Sequence, residues 1–156
     1  MVHRSYCGLG SREAALRVFE DLAVHAARLL ELRAGCAWGG ADHAAMGVAF
    51  DGLQTAAYHF TRRPHFYHAL EADWPPQPAG KGRLADRGEA IAEFESLTPY
   101  ADRLLALQGQ CRPFGRDYLA LGIARQCLDT AAFHFTRVAH FYGARGDSAG
   151  PVGPPR

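Results

Sequence analysis

The chain has 156 residues, 48% of them hydrophobic and 21% charged, with 17 Lys and Arg against 16 Asp and Glu for a formal net charge of +1. That length holds one ordinary domain able to bury a core without crosslinks, and the composition excludes a disordered tail or coat. The near-neutral balance, with Lys81 as the only lysine, does not indicate a nucleic-acid partner, which ordinarily meets a basic stripe.

No apolar run follows the opening segment Met1 to Cys7, so no signal peptide is expected. No stretch approaches the roughly 18 uninterrupted apolar residues of a membrane span, and the sequence reads as cytoplasmic. Ser11 can cap a first helix whose apolar stripe is Leu16, Phe19, Ala23, Ala26, Leu29 and Leu30, the spacing of an amphipathic helix. Gly35, Gly39 and Gly40 end it, and Asp42 is the expected N-cap of a second helix from about Ala44 to Leu70. Met46, Ala49, Leu53, Ala56, Ala57, Phe60 and Tyr67 form its core face. Pro64, late in that helix, predicts a kink or a 3₁₀ turn. A linker over residues 71–86 follows, extended at its prolines and loose at its glycines.

Residues 87–145 then repeat residues 12–70 without a gap, at an offset of 75. Thr55 to Tyr67 reads TAAYHFTRRPHFY, and Thr130 to Tyr142 reads TAAFHFTRVAHFY. Phe19 and Phe94, Glu20 and Glu95, Cys36 and Cys111, Asp42 and Asp117 also correspond. Pro99, where the first copy has Val24, predicts a third helix divided into 87–97 and 99–108, with Thr98 as a cap. Asp117 is the expected cap of the last helix. A single hairpin is too thin to bury its faces. The expected fold is therefore all-α, an antiparallel four-helix bundle of two duplicated helical hairpins about an approximate internal two-fold axis, in one domain spanning 1–156. Cys36 and Cys111 fall at equivalent hairpin tips. With no CxxC pair among four cysteines, thiols are expected there, and a bond or shared ligand between the two tips is the alternative.

The outward face of the second and fourth helices carries the functional signal. Val48, Thr55, His59, Arg62 and Phe66 cluster opposite the core face, flanked by Tyr58 and His65, where a surface helix would ordinarily carry Glu and Lys. The second copy keeps Thr130, His134, Arg137, His140 and Phe141. Aromatic, Arg and His side chains without acids mark an interface, so a homo-oligomer through helices 44–70 and 117–144 is one expectation. Another is a site for a small anionic ligand lined by Thr55, His59 and Arg62 with Thr130, His134 and Arg137, where hydroxyl, imidazole and guanidinium converge on one helical face.

Glu20, His59, Glu95 and His134 supply the residue types of a two-fold metal site if the histidines turn inward, but no Glu-x-x-His pair occurs and Arg62 beside them repels a cation. The leading reading is a cytosolic, oligomeric ligand-binding protein. A non-catalytic assembly or scaffold protein is its alternative, followed by a metal-dependent oxidoreductase or a phosphodiester-cleaving enzyme. No catalytic residue and no cofactor are assigned, because no P-loop, dinucleotide, HExxH or nucleophile-elbow motif is present.

Overall fold

The computed structural model describes residues 8–75 and 82–143, and over these the fold is all-α and multi-helical, with no strand among the described residues. The helices are α1 (Arg12–Asp21), α2 (Ala23–Ala34), α3 (Ala41–Thr61), α4 (His68–Glu71), α5 (Arg87–Ser96), α6 (Thr98–Gly109) and α7 (Arg116–Thr136), with a 3₁₀ turn at Arg83–Ala85. The bounds of α5, α6 and α7 fall 75 residues after those of α1, α2 and α3. Residues 76–81 of the linker, residues 144–145 of the second repeat and Cys7 lie outside the described residues.

Side-chain caps open both halves. Ser11 Oγ accepts the Ala14 N–H at 3.1 Å, and Asp86 Oδ2 accepts the Glu89 N–H at 2.9 Å, each satisfying an amide that the first helical turn leaves over. The anticipated division of the third helix is present, but Leu97 and not Thr98 holds the cap position, Thr98 and Pro99 open α6 without a side-chain cap, and the first copy has the same break without a proline. Leu22 and Leu97, both buried, separate α1 from α2 and α5 from α6. Each carbonyl is shared by the amides three and four residues on: His25 and Ala26 at Leu22, Tyr100 and Ala101 at Leu97. The break therefore belongs to the packing of the leucine; Pro99 sits where a missing N–H costs little.

Two expectations need correction. Asp42 and Asp117 are not N-caps: Gly40 and Gly115 hold that position in extended backbone, and the aspartates lie in the first turn of α3 and α7. Nor do the long helices run on to residue 70 or 144. Both stop at a threonine, Thr61 or Thr136, and the next residue, Arg62 or Arg137, turns into the left-handed region at φ 62° and 63°. The threonine hydroxyl donates to the carbonyl four residues back at 2.7 Å and accepts the amide two residues on, which closes the helix end. Because the stop is common to both copies, Pro64 does not distinguish them.

The central contact is α3 against α7, antiparallel. Gly52 permits it, since a Cβ there would lie 2.8 Å from the Cβ of Cys127 and 3.2 Å from the Cα of Ala124. Gly52 and Cys127 are equivalent positions of the two repeats, as are His25 and Tyr100, whose rings stack at 5.2 Å between α2 and α6. The segments preceding each repeat are exchanged. Gly82 donates its N–H to the Gly35 carbonyl at 2.8 Å in the turn between α2 and α3, whereas Gly8 lies against Gln110 and Cys111 in the turn between α6 and α7. Leu84, two residues after Gly82, and Leu9, next to Gly8, are both buried. One ion-pair cluster has no counterpart: buried Glu93 takes Arg28 of α2 and Arg83 at 2.9 Å, where the first copy has Val18.

Candidate functional site

The retained string His-Phe-Thr-Arg-x-x-His-Phe-Tyr can be followed residue by residue. Phe60 stacks on Phe19 at 5.6 Å and Phe66 meets the same ring edge-on at 6.4 Å; Phe135 and Phe141 treat Phe94 alike, at 5.8 and 6.4 Å. Tyr67 donates its hydroxyl to the Phe19 carbonyl at 2.6 Å, and Tyr142 does so to Phe94. The Tyr67 amide donates to Gln54 Oε1 and that of Tyr142 to Asp129 Oδ1. These side chains fasten the corner after each long helix to α1 or α5. Phe66 and Phe141 are thus core-packed corner residues and not members of an outward face.

His59 and His134 face the opposite helix. His59 Nε2 lies 2.6 Å from Asp117 Oδ1, and His134 Nε2 lies 2.7 Å from Asp42 Oδ1, the two pairs tying opposite ends of the α3–α7 crossing. Each imidazole also stands edge-on to the phenylalanine that follows it, at 4.8 and 4.7 Å. The sequence offered a signal for this partnership, since Asp42 and Asp117 were retained together with His59 and His134, but the aspartates also suit a helix start.

What the string leaves over is Arg62 and His65. Thr55 and Tyr58 on the exposed side of α3, followed by Arg62, Pro64 and His65 in the corner, line an open cleft of about 530 Å³ whose far end is Asp51 and Gln54. The guanidinium carbon of Arg62 lies 5.9 Å from the centre of the Tyr58 ring, a cation–π contact that turns the charge back along the helix. His65 holds φ 54°, and its counterpart His140 holds 53°. Thr55 and Arg62 are therefore brought together, His59 is not among the lining residues, and His65, assigned by sequence to a flank, takes its place.

At Asp51, burial pushes the carboxyl above its ordinary range, with Arg33 acting against the shift and Glu71 with it. Arg33 and Glu71 themselves pair at 3.6 Å. In the second copy, Arg137 again lies over an aromatic ring, Phe133, at 5.6 Å, and Thr130 and His140 keep their positions, whereas Gln126 stands for Asp51.

The metal candidates are dispersed. Glu20 and Glu95 are exposed on α1 and α5, and among the described residues no group of three or more His, Cys, Asp or Glu side chains gathers as a metal site would require. Cys36 is a buried free thiol that donates to the Leu32 carbonyl, so it does not bridge to Cys111; burial, then Asp42, raise it to about 11. No described helix is long and apolar enough to cross a membrane. No family model matches this chain, and neither a curated protein nor a solved structure does.

Proposed function

We propose that the chain is a duplicated-hairpin four-helix bundle that binds a small anionic ligand in the corner after α3, with Arg62, His65, Thr55 and Tyr58 as its grip and with Arg137, His140 and Thr130 as a second, related grip. The supporting observation is the pair of left-handed residues. A non-glycine side chain in that region costs about 1 kcal/mol or more, which glycine avoids. Both copies nonetheless place Arg and then His there, at φ values within 1° of one another. The helix dipole rewards a cation at Arg62 by about 0.3–1 kcal/mol, but it supplies no reason for His65 three residues on. A guanidinium fork and an imidazole beside a hydroxyl are the donors that a carboxylate or phosphate takes.

The test is thermal shift against inorganic phosphate, phosphosugars, nucleotides and simple carboxylates, repeated at low salt, because a ligand specific to the native state raises its stability. Replacing Arg62 and Arg137 together by Lys keeps both charges and removes the fork. The double variant should remain folded and lose about tenfold in affinity, about 1.4 kcal/mol. A flat screen at both salt concentrations would remove this reading.

A second reading, self-association through the same face, is favoured by the apolar residues along α7. Leu119 and Ile123 are 50% and 53% exposed and share a stripe with Phe133; Val48 and Tyr58 are also exposed on α3. Sedimentation equilibrium should give at least twice the 17.0 kDa chain mass, and Ile123→Asp should lower it. A monomer at micromolar concentration ends this reading without touching the first.

A further inference from the structure

Resting on the anion-binding reading above, we propose that the cleft along α3 selects a zwitterionic ligand, an amino acid or amino phosphate, whose anionic group meets Arg62 and His65 and whose ammonium meets Asp51. The cleft carries opposite charges at its two ends. Asp51, Thr55 and Tyr58 follow one another at helical spacings of four and three residues, so these three side chains stand on one side of α3, and Arg62, in the left-handed turn after it, lies over the Tyr58 ring at 5.9 Å. The backbones of Asp51 and Arg62 are eleven positions apart, about 16 Å along the axis, and the Arg62 side chain, turned back over Tyr58, shortens the distance between the charges. Thr55 and Tyr58 lie between them, and Gln54 at the acidic end is committed through its Oε1 to the Tyr67 amide.

The acidic end has a net negative set of charges. Asp51 and Glu71 stand against one cation, Arg33, which pairs with Glu71 at 3.6 Å and lies over Phe50 at 5.4 Å. A ligand that brought only an anion would leave this end unused. One that carries an ammonium as well would complete it and hold Asp51 ionised despite its partial burial.

The second copy is an internal control. Its Arg137, His140 and Thr130 repeat the anion grip, but Gln126 replaces Asp51, and Asp129, the one acid nearby in sequence, accepts the Tyr142 amide. Each copy thus has one acid at this end, Asp51 in the first and Asp129, at the position of Gln54, in the second, and the acid of the second has one oxygen taken by the corner amide. Selection for the ammonium is therefore assigned to the first copy, where Asp51 holds the outer position.

The experiment is calorimetric titration of the full chain with aminobutanoate, aminohexanoate and aminooctanoate, all with terminal amines, each compared with the carboxylate that lacks the amine. At one or more of these lengths the amine should tighten binding about fivefold. Asp51→Asn should abolish that difference while leaving the plain carboxylate's affinity within twofold. Gln126→Asp should add a second amine-selective site and raise the stoichiometry of tight binding from one to two. Because Asp51 and Gln126 are both surface positions, helicity measured by circular dichroism should be unchanged in each variant. If carboxylates and phosphate bind but the amine adds nothing at any length, the zwitterion inference fails and the anion site stands. If the amine effect survives Asp51→Asn, the inference fails as well. If neither carboxylates nor phosphate bind, the anion site fails, and this inference with it.

Discussion

His59 on α3 meets Asp117 on α7 at 2.6 Å, and the same two residue types, exchanged between the helices, meet again as His134 and Asp42 at 2.7 Å. Each imidazole donates its Nε2 hydrogen to the carboxylate when that nitrogen is protonated. The pairs are half in water, and the second is the more exposed, its aspartate side chain being 56% accessible against 28% for Asp117. Double-mutant cycles with His→Asn and Asp→Asn, read by urea denaturation, should give a coupling of about 0.5–1 kcal/mol for His59 with Asp117 and a smaller value for His134 with Asp42. Zero coupling in both cycles would show that the pairs do not hold the crossing.

Gly52→Ala should destabilise the protein by about 1–3 kcal/mol, because the new methyl enters space already held by Cys127 and α7 must shift to admit it. The double variant Gly52→Ala with Cys127→Gly moves the small residue to the equivalent position on the other helix and should recover part of the loss. Chemical denaturation of the three proteins checks this; no recovery would mean that the crossing is not interchangeable between the copies.

Glu93 is a buried carboxylate held by Arg28 and Arg83. Removing its charge leaves part-exposed Arg28 with Glu31 as its remaining carboxylate partner, so Glu93→Gln should cost about 1–2 kcal/mol in denaturant. Glu93→Val, which installs the residue of the first copy, should cost no less while Arg28 remains, and Arg28→Leu added to it should return part of the stability. An unchanged midpoint in Glu93→Gln would show that the cluster contributes nothing net.

Acid should weaken the fold through His25. Burial against the Tyr100 ring lowers its proton affinity below the ordinary 6.5, so the unfolded chain takes up a proton first. Stability from the neutral ring is complete above 6.5 and is lost as the pH falls from there toward the folded-state value. Burial and then Arg33 shift His43 in the same direction. Asp51, raised by burial, acts oppositely: its contribution is largest in acid and declines as the pH rises above 3.8. Melting temperature followed downward through 6.5 should fall less steeply in His25→Gln than in the parent. Identical slopes would remove His25 from the acid response.

The sequence made the helical class and the spacing of the elements legible, because apolar residues recur at helical intervals and the two copies confirm one another's register. Met46, Ala49, Leu53, Ala56, Ala57 and Phe60 all reach the core, as the periodicity of α3 requires. The helix end was not legible. A helical wheel drawn through Arg62 to Leu70 assumes backbone that Thr61 has already closed, and this misplaced Phe66 as an outward residue and set His59 beside Arg62. The break at Leu22 was hidden because nothing in its side chain forbids a continuous helix, whereas Pro99 announced its equivalent. Of the ligand residues inferred from sequence, Thr55 and Arg62 share a cleft, and His59 is drawn to Asp117 by an antiparallel pairing that no local pattern reveals.

The exchanged segments at the α2–α3 and α6–α7 turns make the two halves depend on each other. Gly8 and Leu9 precede the first repeat yet Gly8 rests on the tip of the second, and Gly82 precedes the second repeat yet binds the first. Neither half therefore carries its own clasp. A chain severed within the linker should persist as a non-covalent heterodimer, each fragment completing the other, and swapping the order of the repeats in one polypeptide should preserve both docking sites. The covalent linker then sets the effective concentration of the partner half and not the identity of the pairing.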